Sequence, residues 1–350
     1  MKSNSRNALK SRWNIKYSKR DAKEIYADLP HDLFSTLPYG LFSERKDYRG
    51  LTLCSERKDE YGKSYNFYHI IELNDLVIDG ADFSFSKFSH VFFHNCKFTH
   101  CIFDHALFSE DSRFWDNCVF ESCSFADAGF IGCAFNSVSF NGCDFKKTKF
   151  KTKNSFPDAR FVDCTFECNM KGVRFDSSIM ERVKFIGLLE DVTFHGLSGR
   201  QWSEIVSRLR AEFGDGEVPI SEFPVIPISE VSNKMDGVDF SDAELLRCTI
   251  TQYCYLDRTL PPKSSKNCAF NVTMDFREKL KELVWDEFSD NDNFLDAALF
   301  FCRAFYRADP RSPADIAHID NLKKSTGQEF SEKFYGLIVE AAKCTNSLLT

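Results

Sequence analysis

Large apolar residues, most of them phenylalanine, recur at every fifth position through the middle of the chain. Two positions before each of them lies a small or β-branched residue, and the other three positions are mostly polar. Five residues advance about 500° around an α-helix, so this spacing gives no apolar stripe on a helix. A single flat strand is also excluded, because an odd period would send successive phenylalanines to opposite faces.

A coil of short extended segments joined by corners fits the pattern. The small and the large residue of one unit point the same way, since they are two apart on an extended segment. If the three polar residues that follow turn a corner, each unit directs its pair inward again. The pattern therefore predicts a narrow coil with aromatic rings along its axis and turns about 4.8 Å apart, joined by parallel backbone hydrogen bonds.

The period runs from about residue 76 to residue 194, with slips near Ser112 and Asn154 and an insertion over 186–191. A second tract in the same phase follows, which predicts that the coil resumes after a longer insertion. The large residues of the first tract are Phe83, Phe88, Phe93, Phe98, Phe103, Phe108, Phe114, Phe120, Phe125, Phe130, Phe135, Phe140, Phe145, Phe150, Phe156, Phe161, Phe166, Met170, Phe175, Met180, Phe185 and Phe194. Those of the second tract are Phe240, Leu245, Ile250 and Tyr255.

These units resemble the pentapeptide repeat family, whose consensus is a small residue, Asp or Asn, Leu or Phe, and two variable positions. Ala81-Asp82-Phe83 and Cys143-Asp144-Phe145 match it closely. The resemblance implies a right-handed quadrilateral parallel β-helix with four units to a turn. We therefore expect a mainly β protein with added α-helix, in which this solenoid is joined to a C-terminal α-helical bundle.

The period divides the chain into five predicted segments. They are 1–75, a capping region of mixed helix and loop; 76–196, the repeat β-helix; 197–235, a helical insertion beginning near Ser198 and a proline-rich linker; 236–272, resumed coils; and 273–350, a helical domain. In the last segment, Ser312-Pro313 has the cap and first-turn proline typical of a helix start.

The segment FLDAALFFCRAFY in this helical domain is more apolar than one buried stripe requires. It is either the centre of the bundle or an interface between two copies of the chain, which leaves a homodimer through the C-terminal helices open. The candidate interface residues are Phe294, Leu299, Phe300, Phe301 and Phe305.

We expect a cytoplasmic protein without a cofactor, and the family resemblance implies a bacterial one. The longest apolar runs, such as 297–302, fall far short of the roughly 18 residues of a membrane-spanning helix, and the polar N-terminus lacks the apolar run of a secretory signal. Most of the 14 cysteines occupy the small position of the repeat, so we interpret them as buried, reduced thiols.

No enzyme signature or metal site stands out in the sequence. Cys96 and Cys101 are spaced as ligands in some zinc sites, but the repeat imposes that spacing and places them on different walls of the coil. His90, His100 and His105 fall at outward positions on three walls, so they cannot converge on one ion. Glycine-rich phosphate loops and nucleophile elbows are absent from the sequence.

One charge cluster is conspicuous, KKTKFKTK, in which every lysine takes an outward position. It is either a solvated edge that blocks strand pairing or a surface for an anionic partner. The candidate binding residues are Lys146, Lys147, Lys149, Lys151 and Lys153.

A coil with a filled interior predicts a function on its outer walls. The favoured hypothesis is a non-catalytic scaffold or regulator that binds another protein through these walls and its helical ends. The family resemblance implies an alternative, mimicry of duplex DNA that binds DNA gyrase and gives quinolone resistance. Because Asp79 to Gly196 holds 16 acidic and 13 basic residues, its net charge is only weakly negative, which disfavours mimicry. A bacterial effector delivered into host cells and an enzymatic C-terminal domain are further alternatives.

Overall fold

The structure, a computed structural model, contains two compact units, Met1–Arg174 and Phe175–Thr350. It describes residues 8–9, 13, 34, 37, 39–54, 57–58, 64–65, 71–89, 91–109, 113–115, 117–151, 153–197, 199–214, 233, 235–251, 253–306 and 314–349. The proline-rich linker and Ser198 lie outside these residues. The five-segment division made from the sequence stays a prediction.

The first unit is a parallel β-helix with four walls. The first wall is formed by Val77–Asp79, Lys97–Thr99, Val119–Glu121, Ser139–Asn141 and Arg160–Val162. The second wall is formed by Arg45–Asp47, Ala81–Asp82, Thr165–Glu167 and bridges through Ile102, Ser124 and Asp144. The third wall is formed by Thr52–Cys54, Lys87–Ser89, Leu107–Ser109, Gly129–Ile131 and Lys149–Lys151. The fourth wall is formed by Ile71–Asn74, Val91–His94, Arg113–Trp115 and Ala134–Phe135.

Backbone pairing keeps equivalent repeat positions in register. On the first wall Phe98 is aligned with Phe120, and Phe120 with Phe140. Outside the four walls, the first unit has Leu41–Phe42, antiparallel to Arg45–Asp47, and an antiparallel pair of Arg57–Lys58 with Ser64–Tyr65. The short strand Met170–Lys171 lies against Lys149–Lys151 of the third wall. Because four such units make one turn, each large residue lies next to the inward large residue of the turn before it.

The polar positions of the repeat turn the corners between walls. Many corner residues have a positive φ, including Asn95, Asn117 and Asp127 at 50°, 62° and 54°. Asn and Asp tolerate this left-handed conformation better than most residues, because their short side chains bond locally to the backbone. The corners therefore explain why the variable positions are rich in Asn, Asp, Ser and Gly.

Aromatic rings fill the interior of the first unit. On the second wall Phe103, Phe125 and Phe145 form a stack with ring centroids 5.1 and 5.0 Å apart. Rings of adjacent walls meet edge to face, as Phe120 and Phe125 do at 5.5 Å. Both geometries are favourable for aromatic pairs, and these rings are no more than 2% exposed.

The aromatic stack begins earlier than the repeat. Tyr48 stacks on Phe83 at 5.1 Å, and Trp13 lies above Tyr48 at 6.4 Å. Where the sequence predicts mixed helix and loop, the described residues before position 76 include three strands that pair in parallel with the coil, Arg45–Asp47, Thr52–Cys54 and Ile71–Asn74. Gly50 has a φ of 74° and lets the Leu9 backbone pack against it, since a Cβ at position 50 would lie 2.7 Å from the Leu9 carbonyl carbon.

A buried asparagine repairs the backbone ladder at one slip of the repeat. Asn154 is fully buried in the small position, and its side-chain oxygen accepts a hydrogen bond from the Cys133 N–H at 3.0 Å. Its amide nitrogen donates to the carbonyls of Phe130 and Lys151 at 3.3 and 3.0 Å. The side-chain oxygen thereby takes the place of a backbone acceptor at the slip, whereas the Lys151 carbonyl also accepts the regular ladder bond from the Gly132 N–H at 3.1 Å.

The second unit contains further parallel coils. Its strands are Arg174–Asp176, Ile179–Glu181, Lys184–Glu190, Thr193–His195, Asp239–Leu246, Thr249–Thr251, Asn267–Asn271 and Ala314–His318. Lys184–Glu190 pairs in parallel with Asp239–Leu246, and Thr193–His195 with Thr249–Thr251. Between them in sequence, helix α1, Gly199–Phe213, packs Trp202 and Ile205 against Tyr253.

The second tract loses the predicted register after Ile250. Tyr253 and Leu256 are buried, at 1% and 2% exposed, whereas Tyr255, predicted as the inward residue, is half-buried. A short 3₁₀ helix, Leu256–Arg258, changes the spacing there. The edge of this coil is then closed by Asn267, whose side chain both accepts from and donates to the Leu245 backbone, at 3.1 and 2.9 Å.

Four helices form the C-terminal core of the second unit. They are α2, Met274–Phe288; α3, Asp292–Tyr306; α4, Ile319–Thr326; and α5, Gln328–Cys344. Ser312 and Pro313 lie outside the described residues. The helix predicted to begin there is wrong over the next residues, because Ala314–His318 is a strand antiparallel to Asn267–Asn271. Helix α4 begins only at Ile319, where His318 supplies the cap.

Candidate protein-binding surface

Five lysines lie on the strand Lys149–Lys151 of the third wall and at the two corners beside it in the first unit. Lys149 and Lys151 flank the buried Phe150 on one strand, so alternation along the strand turns both outward. Lys147 lies at a corner with a φ of 53°. The structure places all five on the exterior, and we call Lys146, Lys147, Lys149, Lys151 and Lys153 the lysine surface.

Acidic neighbours neutralise only part of the lysine surface. Lys146 lies 3.3 Å from Glu167, and Lys149 lies 3.9 Å from Asp127. Within the described part of the chain, the other three lysines have no ion pair. The surface therefore keeps an excess of positive charge.

The candidate dimer residues divide between the core and the surface of the helical domain. Phe294, Leu299 and Phe301 are partly buried against the bundle core, where Phe294 and Phe301 contact the ring of Phe330 at 5.4 and 6.4 Å. Phe300 is 68% exposed. The side chain of Phe305 lies outside the described ones, so a dimer contact through this helix stays a prediction.

The cysteines of the second wall form a buried ladder. Cys101, Cys123, Cys143 and Cys164 occupy the small position of successive turns, and each is at most 2% exposed. Each thiol donates to a backbone carbonyl of the preceding turn, such as Cys143 to Phe120 at 3.4 Å. These contacts are those of packed core residues. Burial likewise raises the pKa of Cys168, also in the coil, to about 12, which keeps its thiol protonated.

The outward histidines take separate partners on the coil surface. His100 Nδ1 lies 3.1 Å from Asp79 Oδ1, and the ring of His105 stacks on Phe85 at 4.8 Å. His90 lies outside the described residues. His100 and His105 lie at different corners with different partners, so they do not form a common site.

One cluster in the second unit has the residue types of a metal site. Glu244, His318 and Asp320 have ligand atoms within 4.8 Å of one another. The Lys266 ammonium lies 3.1 Å from Glu244 and 3.3 Å from Asp320 and supplies the positive charge that the carboxylates require.

The hydrogen bonds of His318 assign this cluster a structural role. Its Nδ1 accepts from the Asp320 N–H at 3.1 Å, so Nε2 carries the proton and donates to Glu244 at 3.2 Å. Burial lowers the pKa of His318, which keeps the ring neutral. The cluster thus caps α4 and ties it to the strand Asp239–Leu246. Sequence reasoning missed the cluster, because Glu244 and His318 are 74 residues apart in the chain.

Comparisons with known proteins agree with this architecture. A family model described as pentapeptide repeats matches residues 78–110 in eight copies. No curated protein matches the chain. Among the described helices, none combines the length and the apolar character needed to cross a lipid bilayer.

Two solved structures are among those that match the chain. Full-length QnrB1, described as a plasmid-mediated fluoroquinolone resistance protein, is 16% identical over 47% of this chain and 99% of that chain, with a TM-score of 0.27. HetL, described as a pentapeptide repeat protein involved in heterocyst differentiation regulation from the cyanobacterium Nostoc sp., is 10% identical over 63% of this chain and 92% of that chain, with a TM-score of 0.24. The small and large columns, the parallel four-walled coil and the family match over residues 78–110 identify the repeated part of this chain as pentapeptide repeats.

Proposed function

We propose that the protein is a non-catalytic scaffold or regulator that binds another protein through the outer walls of its β-helix and its helical ends. The observation that carries the proposal is the filled interior of the first unit. Phe103, Phe125 and Phe140, for example, are at most 2% exposed and stack on neighbouring rings. A substrate pocket needs a concave space with converging polar groups, whereas these walls offer their polar groups outward.

The charge pattern of the walls supports protein binding over DNA mimicry. Opposite charges alternate along the coil, as in the pairs Lys97–Glu121 at 3.0 Å and Lys146–Glu167 at 3.3 Å. A mimic of duplex DNA needs a continuous acidic stripe, because phosphate charge dominates what DNA-binding surfaces recognise. Gyrase binding therefore remains the alternative. For the scaffold, the first candidate contact is the lysine surface, which fits an acidic segment of a partner protein.

Photo-crosslinking in cells that naturally produce the protein tests this assignment. A photoreactive residue at position 131, which is aligned with Lys151 on the third wall, is expected to trap one discrete protein. The same residue at position 162, on the first wall, serves as the control and is expected to trap it much less. Combining the probe with Lys147→Gln, Lys151→Gln and Lys153→Gln is expected to reduce the adduct at least about fivefold, because three unpaired charges are lost.

The identity of the adduct separates the hypotheses. An acidic protein partner supports the scaffold, whereas a topoisomerase trapped equally at both positions supports mimicry. If the amount of adduct were equal with and without the three substitutions, the lysine surface would not be part of the binding site.

A further inference from the structure

A single buried ring joins the start of helix α4 to the resumed coil of the second unit. His318 is the last residue of the strand Ala314–His318 and immediately precedes α4. Its side chain is only 1% exposed and contacts Glu244 on the coil strand Asp239–Leu246. The proposed scaffold role does not use the acid–base chemistry of this ring.

Both ring nitrogens of His318 have partners that require the neutral form. Nδ1 accepts a hydrogen bond from the Asp320 N–H at 3.1 Å, and Nε2 donates to Glu244 at 3.2 Å. A proton on Nδ1 would convert this acceptor into a donor that faces another donor. Protonation of the ring therefore removes the side-chain cap of α4.

The two carboxylates beside the ring already have a cation. The Lys266 ammonium lies 3.1 Å from Glu244 and 3.3 Å from Asp320, and hydrogen bonds to these two carboxylates raise its pKa, so it stays charged. Lys323 adds a second cation 3.5 Å from Asp320. Burial lowers the pKa of His318 and outweighs the opposite effect of Glu244. The site therefore disfavours a charged ring.

Ionisable groups on the neighbouring strands do not share this arrangement. Asp315 is three positions before His318, so alternation places it on the opposite, exposed face of the same strand. On the coil strand, Asp239 and Asp242 are paired with Lys184 at 3.6 and 2.6 Å. These carboxylates are therefore not available to hold a charged His318.

Groups on the other elements packed against the strand are likewise engaged or exposed. On α5, Tyr335 donates its hydroxyl to the Ser265 carbonyl at 3.0 Å, and the charged residues of that helix are all exposed. On the 3₁₀ helix, Arg258 is paired with Asp236, and Asp257 is exposed. On the partner strand Asn267–Asn271, burial raises the pKa of the Cys268 thiol to about 11, which keeps it neutral.

We propose that His318 is an acid-sensitive latch, which in its neutral form ties the start of α4 to the coil strand Asp239–Leu246 and releases it when the ring is protonated. The closed form binds the proton more weakly than the open form, in which the ring has the ordinary histidine pKa of about 6.5. Closure is therefore strongest above that pH and weakens as the pH falls below it.

Hydrogen–deuterium exchange of the full chain, read by peptide mass spectrometry and corrected for the intrinsic pH dependence of exchange, tests the latch. The amides of residues 319–324 are expected to lose protection at least about fivefold between about pH 7.5 and about pH 5.5. His318→Asn is expected to keep its protection within about twofold over this range, because asparagine caps a helix without titrating. His100→Asn, which removes an exposed histidine of the first unit, is the matched control and is expected to behave like the wild type.

The latch is overturned if the wild type keeps its protection at the lower pH, or if His318→Asn loses protection to the same extent. If His318→Asn does not fold, NMR titration of the His318 ring in the wild-type chain decides. A ring pKa below about 6.5, with loss of protection over the same range, supports the latch. A ring pKa at or above that value contradicts it.

Discussion

Replacing Phe125 with alanine lowers the free energy of unfolding of the first unit by about 3–5 kcal/mol. The ring stacks between Phe103 and Phe145, meets Phe120 edge to face, and is 1% exposed. Its removal leaves a cavity that the neighbouring rings cannot fill, because each is fixed in its own stack by the backbone ladder. Urea unfolding followed by circular dichroism measures the change.

Val77→Ala is the control within the first unit. It also removes an apolar side chain, but Val77 is 75% exposed on the first wall, so we expect a change below about 0.5 kcal/mol. Equal effects of the two substitutions would mean that the stacked rings do not form the core of the coil.

Replacing Asn154 with leucine lowers the unfolding free energy by about 3 kcal/mol, although the side chain keeps nearly the same size. The substitution removes the hydrogen bond that the Cys133 N–H donates and those that the carbonyls of Phe130 and Lys151 accept, although the Lys151 carbonyl keeps its bond from the Gly132 N–H. Each buried group left unsatisfied costs about 1–3 kcal/mol. The midpoint of urea unfolding reports the loss.

Asn141→Leu provides the comparison, because Asn141 flanks the buried Phe140 on the outward side of the first wall. We expect that variant to unfold within about 0.5 kcal/mol of the wild type. If Asn154→Leu were as stable as Asn141→Leu, the slip in the repeat would not depend on a side chain to complete its hydrogen bonds.

The coil could be predicted from the sequence because its packing rule is local. Each unit carries its own small residue, large residue and corner, so Cys143 and Phe145 can be assigned inward without knowledge of distant contacts. The prediction fails where packing is not periodic. Tyr48 extends the aromatic stack by contact with Phe83, yet the strands around it lack the five-residue spacing.

The predictions for the second unit fail for a related reason. Ser312-Pro313 has the local features of a helix start, but long-range pairing with Asn267–Asn271 makes the following residues a strand. The Glu244–His318 contact likewise joins segments far apart in sequence. Local sequence predicts the outward direction of the lysine surface but carries no information on such tertiary sites.

Alkylation of the native thiols tests most directly whether the repeat encloses a filled interior. Cys123 and Cys143 are each 2% exposed on the second wall, whereas Cys344 near the end of α5 is exposed. Peptide mass spectrometry after brief exposure to iodoacetamide measures the three rates in one sample. Because opening the coil costs a large part of a typical stability of about 5–15 kcal/mol, we expect the two wall thiols to react at least about a thousandfold more slowly than Cys344. Similar rates for all three thiols would contradict the closed, ring-filled coil and with it the assignment of function to the outer walls.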